Sequence, residues 1–165
     1  MFASDPSETL AVHCANGVQR YNPTLSFPRE RSLRSVEAML NNAKIIAFVA
    51  TTDAAKSRAF YEGVLGLAPT LEDEFTLVLD ANGVEIRIQK VQTLTPQPHT
   101  QLGWSVISLE EVVRALRAKG VVFESYPFMQ QNALGIWTAP SGAKVAWFKD
   151  PDGNLLSLTQ PATRR

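Results

Sequence analysis

The sequence predicts an α+β fold in which two βαβββ modules form a cup-like half-barrel, and three observations support this. A strand, a helix and a strand meander follow one another twice along the chain. The spacing of the predicted helix caps, Asp53 and Ser108, nearly equals that of the helix-ending glycines, Gly66 and Gly120. A single βαβββ unit leaves one sheet face bare, which a second unit covers.

Module one begins with a short apolar run over residues 45–50, which indicates a buried strand. Asp53 is a good N-cap, and the spacing of apolar residues predicts a helix over 54–65 that ends at Gly66. Two strands, 75–80 and 84–91, flank the turn signal Asn82-Gly83 and predict a hairpin.

Module two repeats this order with a strand over 102–107 and a helix that ends at Gly120. Ser108 and Glu111 fit a capping box, in which the serine hydroxyl and the glutamate carboxylate each accept a free amide hydrogen. Turn signals rich in Pro and Gly separate the remaining predicted strands. These strands are 121–125, 136–139, 143–149 and 154–160.

The chain is therefore predicted to hold one domain between two tails. Residues 1–42 show no lasting periodicity and predict a flexible extension. The domain covers 43–161, with module one over 44–92 and module two over 101–160, and residues 162–165 form a short tail. Met39, directly before the first strand, is an alternative natural start. His13 and Cys14 have no partners at ligand spacing and are interpreted as incidental.

Composition excludes several classes of protein. Lys+Arg and Asp+Glu are both 16, so no basic excess points to nucleic acid or to an anionic membrane surface. The sequence contains no run of about 18 apolar residues, as a membrane-spanning helix requires. Cys14 is the single cysteine, which fits the reducing cytoplasm, and that is the predicted location.

Two motifs carry a resemblance to a known family. The pattern D-x-x-x-S-x-x-F-Y-x-x-x-L-G is filled from Asp53 to Gly66, and Phe148 to Asn154 fill F-x-D-P-D-G-N. Over residues 44–160 the chain resembles the vicinal-oxygen-chelate superfamily, which includes glyoxalases, bleomycin resistance proteins and dioxygenases. The resemblance implies their cup-like fold. Since many activities share that fold, it leaves the function open.

The resemblance also implies four positions for metal donors: Ile46, Arg87 with Glu85 as its alternative, Gln101 and Ser157. Isoleucine has no donor atom, an arginine repels a cation, and a serine is a poor substitute for a carboxylate. We therefore predict no metal cofactor. A weak, shifted site for a divalent metal that uses Glu85 and His99 is the alternative.

Side-chain alternation along the strands brings polar residues to the predicted cup face. Arg87 is expected to grip an anionic or carbonyl-bearing ligand. A solvated outer sheet face is the competing interpretation of this polar set. The tryptophans Trp104, Trp137 and Trp147 could supply an aromatic wall, or could instead pack in a core or a dimer interface. The predicted ligand-binding residues are Glu85, Arg87, Gln89, Gln101, Ser105, Ser157, Trp104 and Trp137.

Three functions follow from these patterns. The first is a metal-independent small-molecule-binding protein that acts as a homodimer. The second is a glyoxalase-type lyase, or another enzyme of this superfamily, with a partial or shifted metal site, in which Glu85 or Glu124 serves as general base. The third is a protein-interaction module with a filled cup. The loop 126–135 is long enough to act as a lid, or to seal an interface.

Overall fold

The computed structural model describes residues 40–163, and one compact unit begins at Lys44. The predicted extension, with His13, Cys14 and Met39, lies outside the described residues except for its last part, 40–42. Among residues 40–163, no helix has both the length and the apolar character needed to cross a membrane.

The first half of this unit is a four-stranded sheet with one helical segment. Its elements are β1 (Ile46–Thr51), α1 (Ala54–Arg58), a π-helix (Ala59–Val64), β2 (Ala68–Glu72), β3 (Thr76–Ala81) and β4 (Val84–Lys90). The strand order is β1-β4-β3-β2. The β1–β4 pair is parallel, whereas β4–β3 and β3–β2 are antiparallel.

The second half repeats this topology. Its elements are β5 (Leu102–Ser105), α2 (Leu109–Ala118), β6 (Trp137–Thr138), β7 (Lys144–Lys149) and β8 (Leu155–Gln160). The order β5-β8-β7-β6 matches that of the first sheet, with β5 parallel to β8. The duplication of a βαβββ unit and the α+β fold class are confirmed.

The helix of module one changes its winding halfway along. Asp53 caps α1, since its Oδ1 accepts a hydrogen bond from the Lys56 amide at 3.1 Å. From Ala59 the segment continues as a π-helix, and the Leu65 amide bonds to the Phe60 carbonyl at 2.9 Å. The predicted stop holds, because Gly66 takes the left-handed conformation with φ of 77°.

Strand β2 was not predicted from the sequence. It is an edge strand that contains Pro69 and has a bulge between Pro69 and Leu71. Leu71 is 55% exposed. An exposed, irregular edge strand buries no alternating face, so the sequence carries no two-residue periodicity there.

The strand predicted over 121–125 is wrong. Phe123 makes one isolated bridge to Phe148, and the Glu124 amide bonds to the Trp147 carbonyl at 2.8 Å. The segment runs beside β7 only at Phe123 and Glu124, and Val122 is 77% exposed. Two backbone contacts fix its position, but they do not make a ladder.

The capping box predicted at Ser108 is also absent. Ser108 is the N-cap residue of α2, yet its side chain makes no capping hydrogen bond. The Leu109 amide instead donates to Gln160 Oε1 at 3.0 Å. A side chain from β8 thus satisfies a free amide of the helix end.

One hydrophobic core joins both modules. Its residues come from the helix-facing sides of the two sheets and from α2, and Tyr61 lies within it. Phe148 is fully buried and packs on Phe60 and Phe123, with ring centroids 6.4 and 5.4 Å away. The faces of the two sheets that point away from this core do not contribute to it and are described with the candidate site below.

Hydrogen bonds from module one converge on Asp152, in the turn before β8. Asp152 Oδ2 accepts from the Thr51 hydroxyl at 2.6 Å, and Oδ1 accepts from the Thr52 hydroxyl at 2.6 Å and its amide at 2.8 Å. The buried Ser57 hydroxyl donates to Thr51 Oγ1 at 2.7 Å and lies 3.3 Å from Asp152 Oδ2. The turn motif therefore ties the modules together.

Asp150, at the other end of the same turn, is buried and receives four donors. Tyr61 donates its hydroxyl at 2.9 Å, and Asn154 donates its amide and its Nδ2 hydrogen, both at 2.8 Å. The Asp152 amide is the fourth donor, at 3.0 Å. Asn154 Nδ2 also donates to the Ala50 carbonyl. The two sequence motifs thus meet in one polar cluster, buried at Asp150 and more open at Asp152, which we call the Asp150–Asp152 clamp.

This clamp predicts acid sensitivity. Burial by itself raises the pKa of Asp152, but hydrogen bonds from Thr51 and Thr52 outweigh it, so the pKa lies below the ordinary 3.8. A carboxyl group whose pKa is lowered by folding adds stability above pH 3.8, and that stability is lost as pH falls through the lowered pKa. We expect Asp152→Asn to be less stable than wild type at neutral pH and to lose less stability on acidification.

Urea unfolding of both proteins on each side of pH 3.8 measures this difference. Asp150 has the opposite effect on the pH dependence of stability. Burial raises the pKa of its carboxyl group, despite hydrogen bonds from Asn154 and Tyr61. Because the charge of Asp152 also contributes to the raised pKa of Asp150, the difference between the two proteins reports Asp152 together with its coupling to Asp150. Parallel pH profiles for the two proteins would contradict the assignment.

Candidate functional site

The candidate site starts on β4, whose side chains alternate between core and cup. Ile86 and Ile88 are buried in the core. Glu85, Arg87 and Gln89 therefore share the other face of the strand, as predicted. The parallel pairing of β1 with β4 sets which residues of β1 lie beside these polar side chains.

Arg87 lies between two apolar residues on this face. Its cross-strand neighbours are Phe48 on β1 and Val78 on β3. Phe48 is 51% exposed, and Ile46, which pairs with Glu85, is 40% exposed. Arg87 thus has an exposed apolar neighbour, Phe48, on one side and a buried one, Val78, on the other.

Arg87 and Glu85 form an ion pair along the strand. Arg87 Nε donates to Glu85 Oε1 at 2.5 Å, and the two side chains are 42% and 41% exposed. Within residues 40–163, the guanidinium makes no other hydrogen bond. Its two terminal nitrogens can therefore donate to a bound molecule.

On the second sheet, Ser157 occupies the corresponding place. Its cross-strand neighbours are Gly103 on β5 and Trp147 on β7. A Cβ atom on Gly103 would lie 2.7 Å from Ser157 Oγ, so a side chain there would displace the hydroxyl. The described residues give Ser157 no side-chain hydrogen-bond partner, although the residue is only 7% exposed.

The registers of the two sheets match at these positions. Phe48, two residues after Ile46, pairs with Arg87, and Gly103, two residues after Gln101, pairs with Ser157. Arg87 thus corresponds to Ser157 under the internal duplication. The register favours Arg87 over Glu85 as the second of the four predicted donor positions.

Aromatic rings line this face of the second sheet. Trp137 and Trp147 have centroids 6.2 Å apart, and Tyr126 meets Trp147 edge-on at 5.8 Å. Phe128, 79% exposed, extends the group at 5.5 Å from Tyr126. Trp147 was not among the predicted ligand-binding residues, although alternation along β7 and its pairing with Ser157 place it on this face.

Trp104, which was predicted to line the cup, lies on the other side of the sheet. It pairs with Leu158, on the face of β5 opposite to Gly103. With Leu65, Leu116 and other apolar residues it lines a cleft of about 220 Å³ on the helix side of the sheet. Because side chains alternate, a strand that turns Gly103 and the exposed Ser105 toward the cup must turn Trp104 away.

Gln89 and Gln101 come together from different modules. With Phe48 and Asn154 they line a cleft of about 240 Å³ beside the clamp. Gln101 Nε2 lies 3.2 Å from His99 Nε2. The structure thus joins these predicted residues in one cleft, whereas Ser105 lies at the far end of β5.

The loop over residues 126–135 is held at its base by Gln131. The Gln131 Oε1 accepts the Tyr126 amide at 2.7 Å, and Nε2 donates to the carbonyls of Glu124 and Gly135 at 3.0 and 2.7 Å. These bonds fix the ends of the loop and leave Phe128 at its exposed tip. A lid role for this loop remains a prediction.

The four donor positions do not fit a divalent metal. Ile46 has no donor atom, Arg87 is a cation, and Gln101 and Ser157 are neutral. Glu85 is engaged by Arg87, and Glu124, the other carboxylate considered, pairs with Lys149 at 3.0 Å. In the part of the chain that the structure describes, no three His, Cys, Asp or Glu residues are grouped to hold an ion.

Comparison with known proteins agrees with the fold. The family model described as the Glyoxalase/Bleomycin resistance protein/Dioxygenase superfamily matches residues 44–158, more than half of the chain. No curated protein matches.

Three solved structures illustrate the similarity. A bleomycin resistance determinant encoded on the transposon Tn5 is 22% identical, with a TM-score of 0.56 over 73% of this chain and 98% of that one. The fosfomycin resistance protein FosX from Listeria monocytogenes is 14% identical, with a TM-score of 0.59 over 74% and 95%. Lactoylglutathione lyase from Agrobacterium tumefaciens is 15% identical, with a TM-score of 0.57 over 72% and 93%. At these identities the structures share only the fold, but together with the family model the conclusion is plain: the chain belongs to the Glyoxalase/Bleomycin resistance protein/Dioxygenase superfamily.

Proposed function

We propose that this protein is a metal-independent small-molecule-binding member of its superfamily. One observation carries the proposal: Ile46, Arg87, Gln101 and Ser157 stand where metal donors are implied, and none offers a carboxylate or an imidazole. A site without donors for Zn²⁺ or Ni²⁺ cannot supply the Lewis acid of a glyoxalase-type reaction.

The same faces support ligand binding. Arg87 and Gln89 on the first sheet, and Ser157 beside Trp147 on the second, combine polar groups with aromatic surface. Sites for small molecules are mostly apolar with a few placed polar groups. The ligand is anionic or carries a carbonyl group, and Arg87 grips it.

A homodimer is part of the proposal. Strand β1 lies at the edge of its sheet, and Ile45, just before it, is 76% exposed. An apolar edge of this kind is normally covered by a partner. We place the protein in the cytoplasm because its single cysteine fits a reducing compartment. Sequestration of a toxic or antibiotic-like compound is the task proposed for it, on the similarity of its fold to that of a bleomycin resistance determinant.

The test is the metal content of protein purified without chelator, together with its melting temperature in Zn²⁺, Ni²⁺, Mn²⁺, Fe²⁺ and EDTA. A metal that binds the native state raises the melting temperature by mass action. We expect less than stoichiometric metal and no shift with any ion. Stoichiometric metal whose removal lowers the melting temperature would refute metal independence and favour the lyase.

A further inference from the structure

We infer that the guanidinium of Arg87 replaces a metal ion as the cationic centre of the cup, that its ligand is an organic monoanion with an apolar body, and that Glu85 limits the affinity. This inference rests on the proposed function and specifies its ligand. It starts from the disagreement between the four donor positions and metal binding, since one of these positions holds a permanent positive charge.

The orientation of the guanidinium is set by Glu85. Because Glu85 Oε1 accepts from Nε at 2.5 Å, the side edge of the guanidinium is occupied. The terminal edge keeps two parallel N–H donors without a partner among residues 40–163. This fork matches the two oxygens of a carboxylate or a sulfonate. Glu85 is thus a positioning residue for Arg87.

The ligand's charge is limited by nearby carboxylates. Glu85 already balances one positive charge, and Asp80 lies across from it on β3. The nearest other cation on β4, Lys90, is engaged by Glu72 at 2.9 Å. Lys44 lines the same pocket as Glu85 and Asp80, so two carboxylates and two cations, Arg87 and Lys44, leave no net positive charge there. A monoanion therefore gains two charge-assisted bonds from Arg87 at lower cost than a dianion would.

The apolar body follows from the flanks of Arg87. Phe48 pairs with Arg87, and Ile46 is two residues away on the same face of β1. Both are partly exposed, at 51% and 40%. A ligand whose anion meets Arg87 can lay an apolar ring system along these side chains, which removes their surface from water.

Glu85 opposes the anion that it helps to position. Glutamine at this place can still accept from Arg87 Nε through its carbonyl oxygen, but it carries no charge. Glu85→Gln therefore keeps the orientation of the guanidinium and removes a repulsion. The variant is expected to bind an anionic ligand more tightly than wild type, which the loss of a merely structural contact would not do.

The probes are 8-anilinonaphthalene-1-sulfonate, an anion, and N-phenyl-1-naphthylamine, its uncharged analogue, followed by fluorescence titration of the full chain. Arg87→Gln is expected to weaken binding of the sulfonate about tenfold and to leave the neutral probe within about twofold. Glu85→Gln is expected to tighten binding of the sulfonate about threefold to tenfold. Added salt should reduce both differences.

Control variants test whether the two probes bind at the face of β4 that carries Arg87. Arg114→Gln changes an exposed arginine on α2 and should affect neither probe. Phe48→Ala should weaken both probes, whereas Phe75→Ala, at a 69% exposed residue, should weaken neither.

The outcomes separate the two proposals. Equal binding of the sulfonate by wild type and Arg87→Gln, with the neutral probe still dependent on Phe48, would overturn the role of Arg87 and keep the binding cup. Weaker sulfonate binding by Glu85→Gln would overturn the role assigned to Glu85. If neither probe binds in a way that depends on Phe48, the inference and the binding function proposed for this face both fail.

Discussion

Replacing Phe148 by alanine is expected to lower the free energy of unfolding by about 4 kcal/mol. Phe148 is fully buried on β7 and contacts the rings of Phe60 and Phe123. Its partners come from the helical segment of module one and from the chain that follows α2 of module two. The substitution leaves a cavity where the two modules share their core, and this cannot be refilled without moving both.

Urea unfolding followed by circular dichroism measures the loss, and the slope reports whether the two modules still unfold together. Phe128→Ala is the matched control, because Phe128 is 79% exposed and should cost less than about 0.5 kcal/mol. A loss below about 2 kcal/mol for Phe148→Ala would show that the core around it is not packed as described.

Replacing Asp150 by alanine is expected to lower the free energy of unfolding by about 3 kcal/mol. Asp150 accepts four hydrogen bonds from Tyr61, Asn154 and Asp152. Its removal leaves the buried Tyr61 hydroxyl and the backbone N–H of the buried Asn154 without an acceptor. Each such group loses its protein partner and does not regain water.

Asp80→Ala is the control for this substitution. Asp80 is an exposed aspartate that accepts one bond, from the Gly83 amide at 3.0 Å, and its loss should cost less than about 1 kcal/mol. Tyr61→Phe, alone and with Asp150→Ala, gives the coupling energy between the two side chains. Additive losses would mean that the Tyr61–Asp150 bond does not connect the modules.

Phe148 and Asp150 both belong to the second sequence motif, residues 148–154, and the contacts of both motifs show their structural role. Asp53, Ser57 and Tyr61 cap a helix or bond within the clamp, while Asp150, Asp152 and Asn154 form its other side. Apart from Asp53, which caps its own helix, these motif residues join the two modules of this chain. The two central residues of the proposed binding site, Arg87 and Glu85, lie outside both motifs.

The sequence by itself determined the duplicated modules, the capped helix after Asp53 and the polar face of β4. These features are local, because caps, turns and two-residue alternation leave their pattern within a few residues. For the same reason, alternation was enough to bring Glu85, Arg87 and Gln89 to one face.

Only the tertiary structure decided which side chains meet across strands. The pairing of Ser157 with Trp147, the placement of Trp104 on the helix side and the Gln160 contact with Leu109 depend on sheet register and on residues far apart in the chain. The edge strand β2 left no periodic signal, whereas residues 121–125 have a strand-like pattern and make only a single bridge, at Phe123. Backbone pairing between distant segments does not constrain residue type at exposed positions, so the sequence there carries no trace of it.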